Sequence, residues 1–286
     1  MTEPHTALDG RPRVRVDPND IAQALTGRRH VSFSQINMWR GCPQRYWFSY
    51  VTKATPDFIS ASLLFGSAVH SALEVYYQAI MEDRLLGPEA LLQAYEEAWA
   101  DQAEGGTPIK YSKDEDAGSL QATARRLLQA FVESAAARID GTILALEETV
   151  RACLHPDLPD VLSRVDLAYR SEGTIVVIDF KTSRCRWSTT KAAESADQLM
   201  LYRHAALGLA EEQEPRIDTA FIVLVKTKTP TIERFDVLTN ERRAERTVRM
   251  MLPVWRAIAV GEPYPNPNPI NCGSCPFKSQ CPAFID

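Results

Sequence analysis

The sequence predicts an α/β fold in which helices flank a central mixed β-sheet. Three observations carry this expectation. Apolar residues recur at helical spacing up to about residue 140, alternate from Thr142 onward, and then return to helical spacing twice more. The resulting order is helices, strands, helix, strands, helix, which suits a mixed sheet. The composition is that of a globular chain, with 286 residues, 45% hydrophobic and 24% charged, and only 13 Gly and 18 Pro. That length holds one large domain or two small ones.

In residues 1–30, Pro4, Gly10, Pro12 and Pro18 stand among scattered charges. This broken pattern predicts a flexible N-terminal segment, with a single domain over residues 31–286. The first helix begins within Val31-Ser32-Phe33-Ser34-Gln35-Ile36, where Ser32 or Ser34 can cap and Phe33, Ile36 and Trp39 follow at helical spacing. Pro43 suits the first turn of a helix restarted after Gly41. Gly66–Asp83 reads as a helix with Val69, Leu73, Tyr76 and Ile80 on its apolar stripe and His70 and Glu74 beside it. Glu89–Gln102 and Gly118–Ile139 continue the helical pattern around the loop Gly105-Gly106-Thr107-Pro108. Thr142–Leu154, Val161–Arg170 and Thr174–Phe180 read as strands, the last two joined by the hairpin turn Ser171-Glu172-Gly173. Lys191–Gly208 is helical, Asp218–Lys226 and Thr231–Leu238 are strands around Pro230, and Asn240–Val260 is a long helix. Pro263, Pro265, Pro267 and Pro269 then impose an extended arm that delivers Cys272, Cys275 and Cys281.

Net charge is −5, from 37 acidic and 32 basic residues. The global signature of a nucleic-acid binder is missing, so a DNA site must be argued locally. The longest apolar runs, such as Thr174–Ile178 and Ala220–Val225, fall far short of the roughly 18 residues of a membrane helix. Residues 1–10 lack the cationic start and apolar stretch of a secretory signal. The expected compartment is the cytoplasm, where disulfides are rare.

The chemistry concentrates in two neighbouring strands. In Arg164-Val165-Asp166-Leu167, alternation puts Val165 and Leu167 on one side and Asp166 on the other. In Ile178-Asp179-Phe180-Lys181, Asp179 and Lys181 share a face. The hairpin sets these strands side by side, so two carboxylates and an ammonium can meet. Two carboxylates alone repel; a hard dication, Mg²⁺ or Mn²⁺, resolves the repulsion, polarises a phosphodiester and lowers the pKa of a bound water. Lys181 would hold that water or offset charge growing on the phosphate, and His70 can add a neutral ring nitrogen. Each signal alone is weak, since Asp-x-Lys at a strand end is commonly solvated and a lone histidine is commonly structural. Gln198 and Tyr202, four apart, project from one side of the following helix. Gln44, Arg45, Tyr46 and Trp47 form a candidate stacking and phosphate-binding patch beside Cys42.

The six cysteines are unevenly placed. Cys272-x₂-Cys275-x₅-Cys281 offers three thiolates, one short of a tetrahedral Zn site or a cubane. Cys42, followed by proline like Cys275 and Cys281, is the candidate fourth, and His30 or a distant Cys could replace it. Such a set would clasp the two chain ends together. Zn and 4Fe-4S are both chemically allowed, and spacing alone favours Zn slightly. Cys153 and Cys185 read as packing or surface residues.

In this order the pieces resemble the PD-(D/E)XK nuclease superfamily. They resemble most closely its RecB-like branch with an iron–sulfur clasp, which includes AddB-type nuclease domains and the CRISPR-associated exonucleases of the fourth Cas family. Ser32-Phe33-Ser34-Gln35-Ile36 with Cys42-Pro43 is similar to the opening helix and first cluster cysteine. Gly66-Ser67-Ala68-Val69-His70 resembles the G-x-x-x-H motif, Arg164-Val165-Asp166 the G-x-x-D strand, Asp179-Phe180-Lys181-Thr182 the D-x-K motif, and Gln198 with Tyr202 the Q-x-x-x-Y helix. Cys272, Cys275 and Cys281 match the closing triplet. The resemblance runs over roughly residues 31–284, with Ser163 in place of the usual glycine.

The resemblance implies a restriction-endonuclease-like core carrying a helical insertion at about residues 83–140. It reverses the choice of metal at the cysteines: Cys42, Cys272, Cys275 and Cys281 would hold a 4Fe-4S cluster. His70, Asp166 and Asp179 would bind the catalytic Mg²⁺ or Mn²⁺, with the Phe180 carbonyl as a further ligand. Lys181 would be the catalytic lysine, with Gln198 and Tyr202 in the catalytic set. The expected activity is metal-dependent cleavage of DNA from single-stranded or frayed ends, by direct attack of water. The alternative is a non-cleaving DNA-binding or assembly subunit of a recombination or CRISPR-adaptation complex. No helicase motif is present, so any motor would be a separate partner protein.

Overall fold

The computed structural model describes residues 16–209 and 216–285. Of the N-terminal segment expected to be flexible, residues 1–15 lie outside the described residues, but Pro18–Thr26 is a helix, α1. Asp17 caps it, Pro18 occupies its first turn, and Gly27 (φ 77) ends it in the left-handed region. The proline that breaks the sequence pattern here starts a helix, and Ala22 packs into the core.

Val31–Ser32 (β1) precedes α2, Phe33–Gly41, whose first turn is closed by a capping box between Ser32 and Gln35. α3, Pro43–Tyr46, runs into a π-helical turn at Trp47–Val51. Ile59–Ser60 (β2) pairs with Ile109–Lys110 (β3) and feeds α4, Ala61–Met81. α5, Pro88–Ala103, and α6, Ala117–Glu133, fill the expected helical stretch. The sequence pattern carries α6 to Ile139. The helix stops earlier because Ser134 turns extended and its hydroxyl donates back to the Phe131 carbonyl.

The main sheet joins β1, β4 (Thr142–Ala152), β5 (Val161–Ser171), β6 (Thr174–Ser183), β7 (Arg216–Val225) and β8 (Thr231–Val237). β5 and β6 form an antiparallel hairpin whose turn residues, Glu172 (φ 46) and Gly173 (φ 76), are both left-handed. β6 and β7 run parallel, so the sheet is mixed as expected. Two helices make the crossover, α7 (Thr189–Glu194) and α8 (Asp197–Leu207), where one continuous helix was expected. α9, Glu241–Val260, is capped by Asn240, and the proline-rich arm contains a short helix, α10 (Pro269–Gly273), capped by Asn268.

Helices α4, α5 and α6 cover one face of the sheet, burying Phe65, Tyr77, Leu127, Phe131, Leu167 and Phe180. α8 covers the other, over Val165, Val177, Phe221 and Val223. A third core joins α1, α2 and α9 through Ile36, Trp39, Met251 and Trp255. Each of these large side chains, fully buried, contributes about 1.5–3 kcal/mol.

The ladder between β5 and β6 ends at Leu167↔Ile178, while β6 stays paired with β7 as far as Ser183↔Val225. The sheet therefore forks at Asp166 and Asp179. Simple alternation predicts Val165 and Leu167 on one face, yet they lie in opposite cores. The cause is on β4: Glu147, between the pairs Leu146↔Leu167 and Glu148↔Val165, takes φ 49 and breaks the pleat.

Candidate active site

At the fork the backbone of Phe180 has lost β5 as a partner. Its N–H donates instead to Asp166 Oδ2 at 2.8 Å, and its carbonyl oxygen lies 3.0 Å from His70 Nε2. Buried backbone groups must be paired, and here two side chains do what a strand would. A carbonyl can only accept, so Nε2 carries the proton and Nδ1 is left facing the carboxylates. His70 Nδ1 lies 3.6 Å from both Glu147 Oε1 and Asp166 Oδ2. α4 brings His70 this close because Gly66, one turn earlier, has no side chain: a Cβ there would stand 3.3 Å from Thr182 Oγ1.

These groups are short of positive charge. Burial lowers the proton affinity of His70, but the carboxylates of Glu147 and Asp166 beside its ring outweigh that, and its pKa rises. Burial, and then the neighbouring Asp179, push the Asp166 carboxyl well above the usual carboxylate range. Ligand atoms of His70, Glu147 and Asp166 lie within 4.8 Å of one another, a group that could hold a metal ion. Glu147 is the member that sequence reading missed; its signal is the acidic pair Glu147-Glu148 interrupting the apolar alternation of β4.

Asp179 lies on the α8 side of the fork. It is fully buried, and Lys181 Nζ stands 2.5 Å from its Oδ2. The contact is an ion pair without hydrogen-bond alignment, since neither Asp179 oxygen accepts a well-directed hydrogen bond. Lys181 also donates to Gln198 Oε1 at 3.3 Å, and Gln198 Nε2 donates to the Tyr202 hydroxyl. Burial, then the charges of Asp179 and Asp166, push the Tyr202 hydroxyl far up, so it stays protonated. The expected ligands thus all reach the fork but not one face of it. His70 and Asp166 join Glu147 beside α4, Asp179 joins Lys181, Gln198 and Tyr202 beside α8, and the Phe180 carbonyl is engaged by His70.

Two cavities open here. One, of about 440 Å³, is lined by Ser67, His70, Glu147, Asp166 and Phe180. The other, of about 810 Å³, runs past Phe33, Arg40, Arg45, Trp187 and Gln198. Arg164 and Lys181 line both. The expected stacking patch is divided: Arg45 faces the larger cavity, but Gln44 and Tyr46 are buried, with Tyr46 packed edge-on against Trp39.

Cys42, Cys272, Cys275 and Cys281 line a third cavity, which shares Arg45 with the larger one. The two ends of the chain meet around it. Asn266 and Asn271 donate to the Gly41 carbonyl, Gln44 N–H donates to the Tyr264 carbonyl, and the ring of Phe48 packs on Phe277. Cys153 and Cys185 are exposed.

Among the described residues, no helix is long and apolar enough to cross a membrane. Comparison with curated proteins gives no match. Among solved structures, the crystal structure of a "Putative exonuclease" from Eubacterium rectale superposes with a TM-score of 0.55 over 86% of each chain at 12% identity, which shows a shared fold. The crystal structure of SSO0001 covers 88% of this chain and 96% of its own at 14% identity, but its TM-score of 0.32 carries no argument. The model of the PD-(D/E)XK nuclease superfamily matches residues 30–282. Because that match runs through the forked strands and the helices that supply their partners, the chain belongs to the PD-(D/E)XK nuclease superfamily.

Proposed function

We propose that this protein is a metal-dependent DNA exonuclease acting on single-stranded ends. The observation that carries the reading is Asp179, a carboxylate with no exposed surface whose oxygens accept no aligned hydrogen bond, beside a second buried aspartate. Two such acids are costly to bury, and one lysine does not neutralise both. A hard dication beside them does, and the donors grouped at the fork fit Mg²⁺ or Mn²⁺: oxygens of Glu147 and Asp166 with a nitrogen of His70, while Asp179 stands across the fork beside Lys181.

When bound, the ion polarises the scissile phosphate and lowers the pKa of a water. Lys181 presents its ammonium to the attacking water and to the charge that grows on the phosphate oxygens. Gln198, backed by Tyr202, holds Lys181 from behind and keeps it aimed at the fork. Water attacks phosphorus directly, the bond to the leaving sugar oxygen breaks, and no covalent bond to the protein forms. Preference for a single strand is supported by the larger cavity, which is lined by the aromatic residues Phe33 and Trp187 and the cations Arg40 and Arg45. The test is digestion of single- and double-stranded oligonucleotides, blocked at either end, with Mn²⁺. Single strands with a free end should be shortened by the wild type and not by Asp179→Asn. An inert wild type, or undiminished cutting by the variant, rejects the reading.

The same reading gives Cys42, Cys272, Cys275 and Cys281 a 4Fe-4S cluster of structural role. Its support is that the four line one cavity, although among the described residues their sulfurs form no group close enough to hold a single ion. Anaerobic purification should yield a brown protein, and a colourless one with stoichiometric Zn would reject the cluster.

A further inference from the structure

Arg164 stands on β5 two residues before Asp166, at the junction of the two cavities. Its Nε lies 2.6 Å from Glu147 Oε2, and the two partners differ sharply: the arginine side chain is 61% exposed and that of Glu147 only 8%. A guanidinium so wet gains little from an ion pair, whereas a carboxylate so enclosed needs a cation beside it. A dication among His70, Glu147 and Asp166 supplies that cation with two charges in place of one. The guanidinium, released, sits at the cavity mouth with the planar fork of donors that matches phosphate oxygens in pairs.

We propose that Arg164 grips a backbone phosphate of the substrate strand at the junction of the two cavities, and that it rests on Glu147 when the metal is away. The inference builds on the nuclease reading above. Lys181 is held by Asp179 and Gln198, Arg184 by Glu115 and Ser112, and Arg40 and Arg45 stand along the larger cavity away from the metal-binding group. Arg164 is paired with a member of the metal-binding group itself. Metal and strand therefore assist one another. The ion frees the arginine for phosphate, and phosphate draws the arginine away from a carboxylate that the ion needs. Such coupling is reciprocal.

The test uses the full chain and Arg164→Ala, with circular dichroism to verify folding. Calorimetric titration with Mn²⁺ alone should show Arg164→Ala binding the ion several-fold more tightly, because a competitor for Glu147 is gone. A fluorescent single-stranded oligonucleotide, bound with saturating Mn²⁺ in a Lys181→Met background that does not cut, should bind about tenfold more weakly without Arg164. The slope of log affinity against log salt should shrink by about 0.7, one phosphate contact on a single strand. In the cutting protein, KM should rise about tenfold while kcat changes by less than about threefold. Weaker Mn²⁺ binding by Arg164→Ala would make the arginine a mere support of Glu147 and overturn the proposal. An unchanged salt slope and KM would overturn it equally. A wild type that neither binds nor cuts the oligonucleotide removes the nuclease reading first, a result plainly distinct from an active wild type that does not need Arg164.

Discussion

Glu147 and Glu148 are adjacent and chemically alike, yet only the first reaches His70. The difference is one backbone angle, the left-handed φ of Glu147, which no residue type at that position announces. His70, Asp166, Asp179 and Lys181 were legible because motifs place them on a helix face or a strand. Glu147 was not, because its orientation follows from a broken pleat and not from the periodicity that sequence reading assumes. Glu147→Gln is expected to weaken Mn²⁺ binding about 10–100-fold, whereas Glu148→Gln, on an exposed side chain, should leave it unchanged; calorimetry distinguishes the two. Lys181→Ala should lower kcat by at least about 10²–10³ while circular dichroism stays the same, the scale lost when one aligned charge-stabilising group is removed. Retained activity in a single-turnover assay would show that another group carries the role.

Strands β4, β5 and β6 were legible to within a few residues, since alternation and a Gly-containing turn are local signals. What escaped was set by contacts from elsewhere. α1 is helical because a cap and Pro18 favour it locally and the core accepts Ala22, although its surroundings in sequence look broken. The crossover parts into α7 and α8 although no proline or glycine lies between them. The approach of α4 to β6 is the contact that matters most for the site, and it gives a prediction at this level. Gly66→Val should push α4 off Thr182 and destabilise the fold by about 1–3 kcal/mol, and cutting should fall further than stability. Thr182→Ala in the same chain should restore part of both. Denaturant unfolding with a nuclease assay measures this double-mutant cycle, and strict additivity would show that the two residues do not meet.

Across the whole molecule, an acidic chain of net charge −5 places basic and aromatic side chains along one cleft, a distribution that composition could not reveal. The cysteine cavity adjoins that cleft through Arg45 and ties the opening helices to the final residues of the sheet domain. On the proposed cluster, Cys275→Ala should remove the brown colour. A loss of about 2 kcal/mol at this size lowers the melting temperature by roughly 4–8 °C; an unchanged midpoint by calorimetry would show that the thiols contribute no staple. The forked sheet has its own consequence. Asp166 is a strut as well as a proposed metal ligand, since one of its oxygens accepts from the Phe180 amide that β5 no longer pairs. Truncating it to alanine removes a wall along with a proposed ligand, and inactivity of that variant would not say which was needed. Asparagine preserves an acceptor for the Phe180 amide, so a well-folded, inert Asp166→Asn beside a loosened Asp166→Ala is the signature of a side chain with two employments.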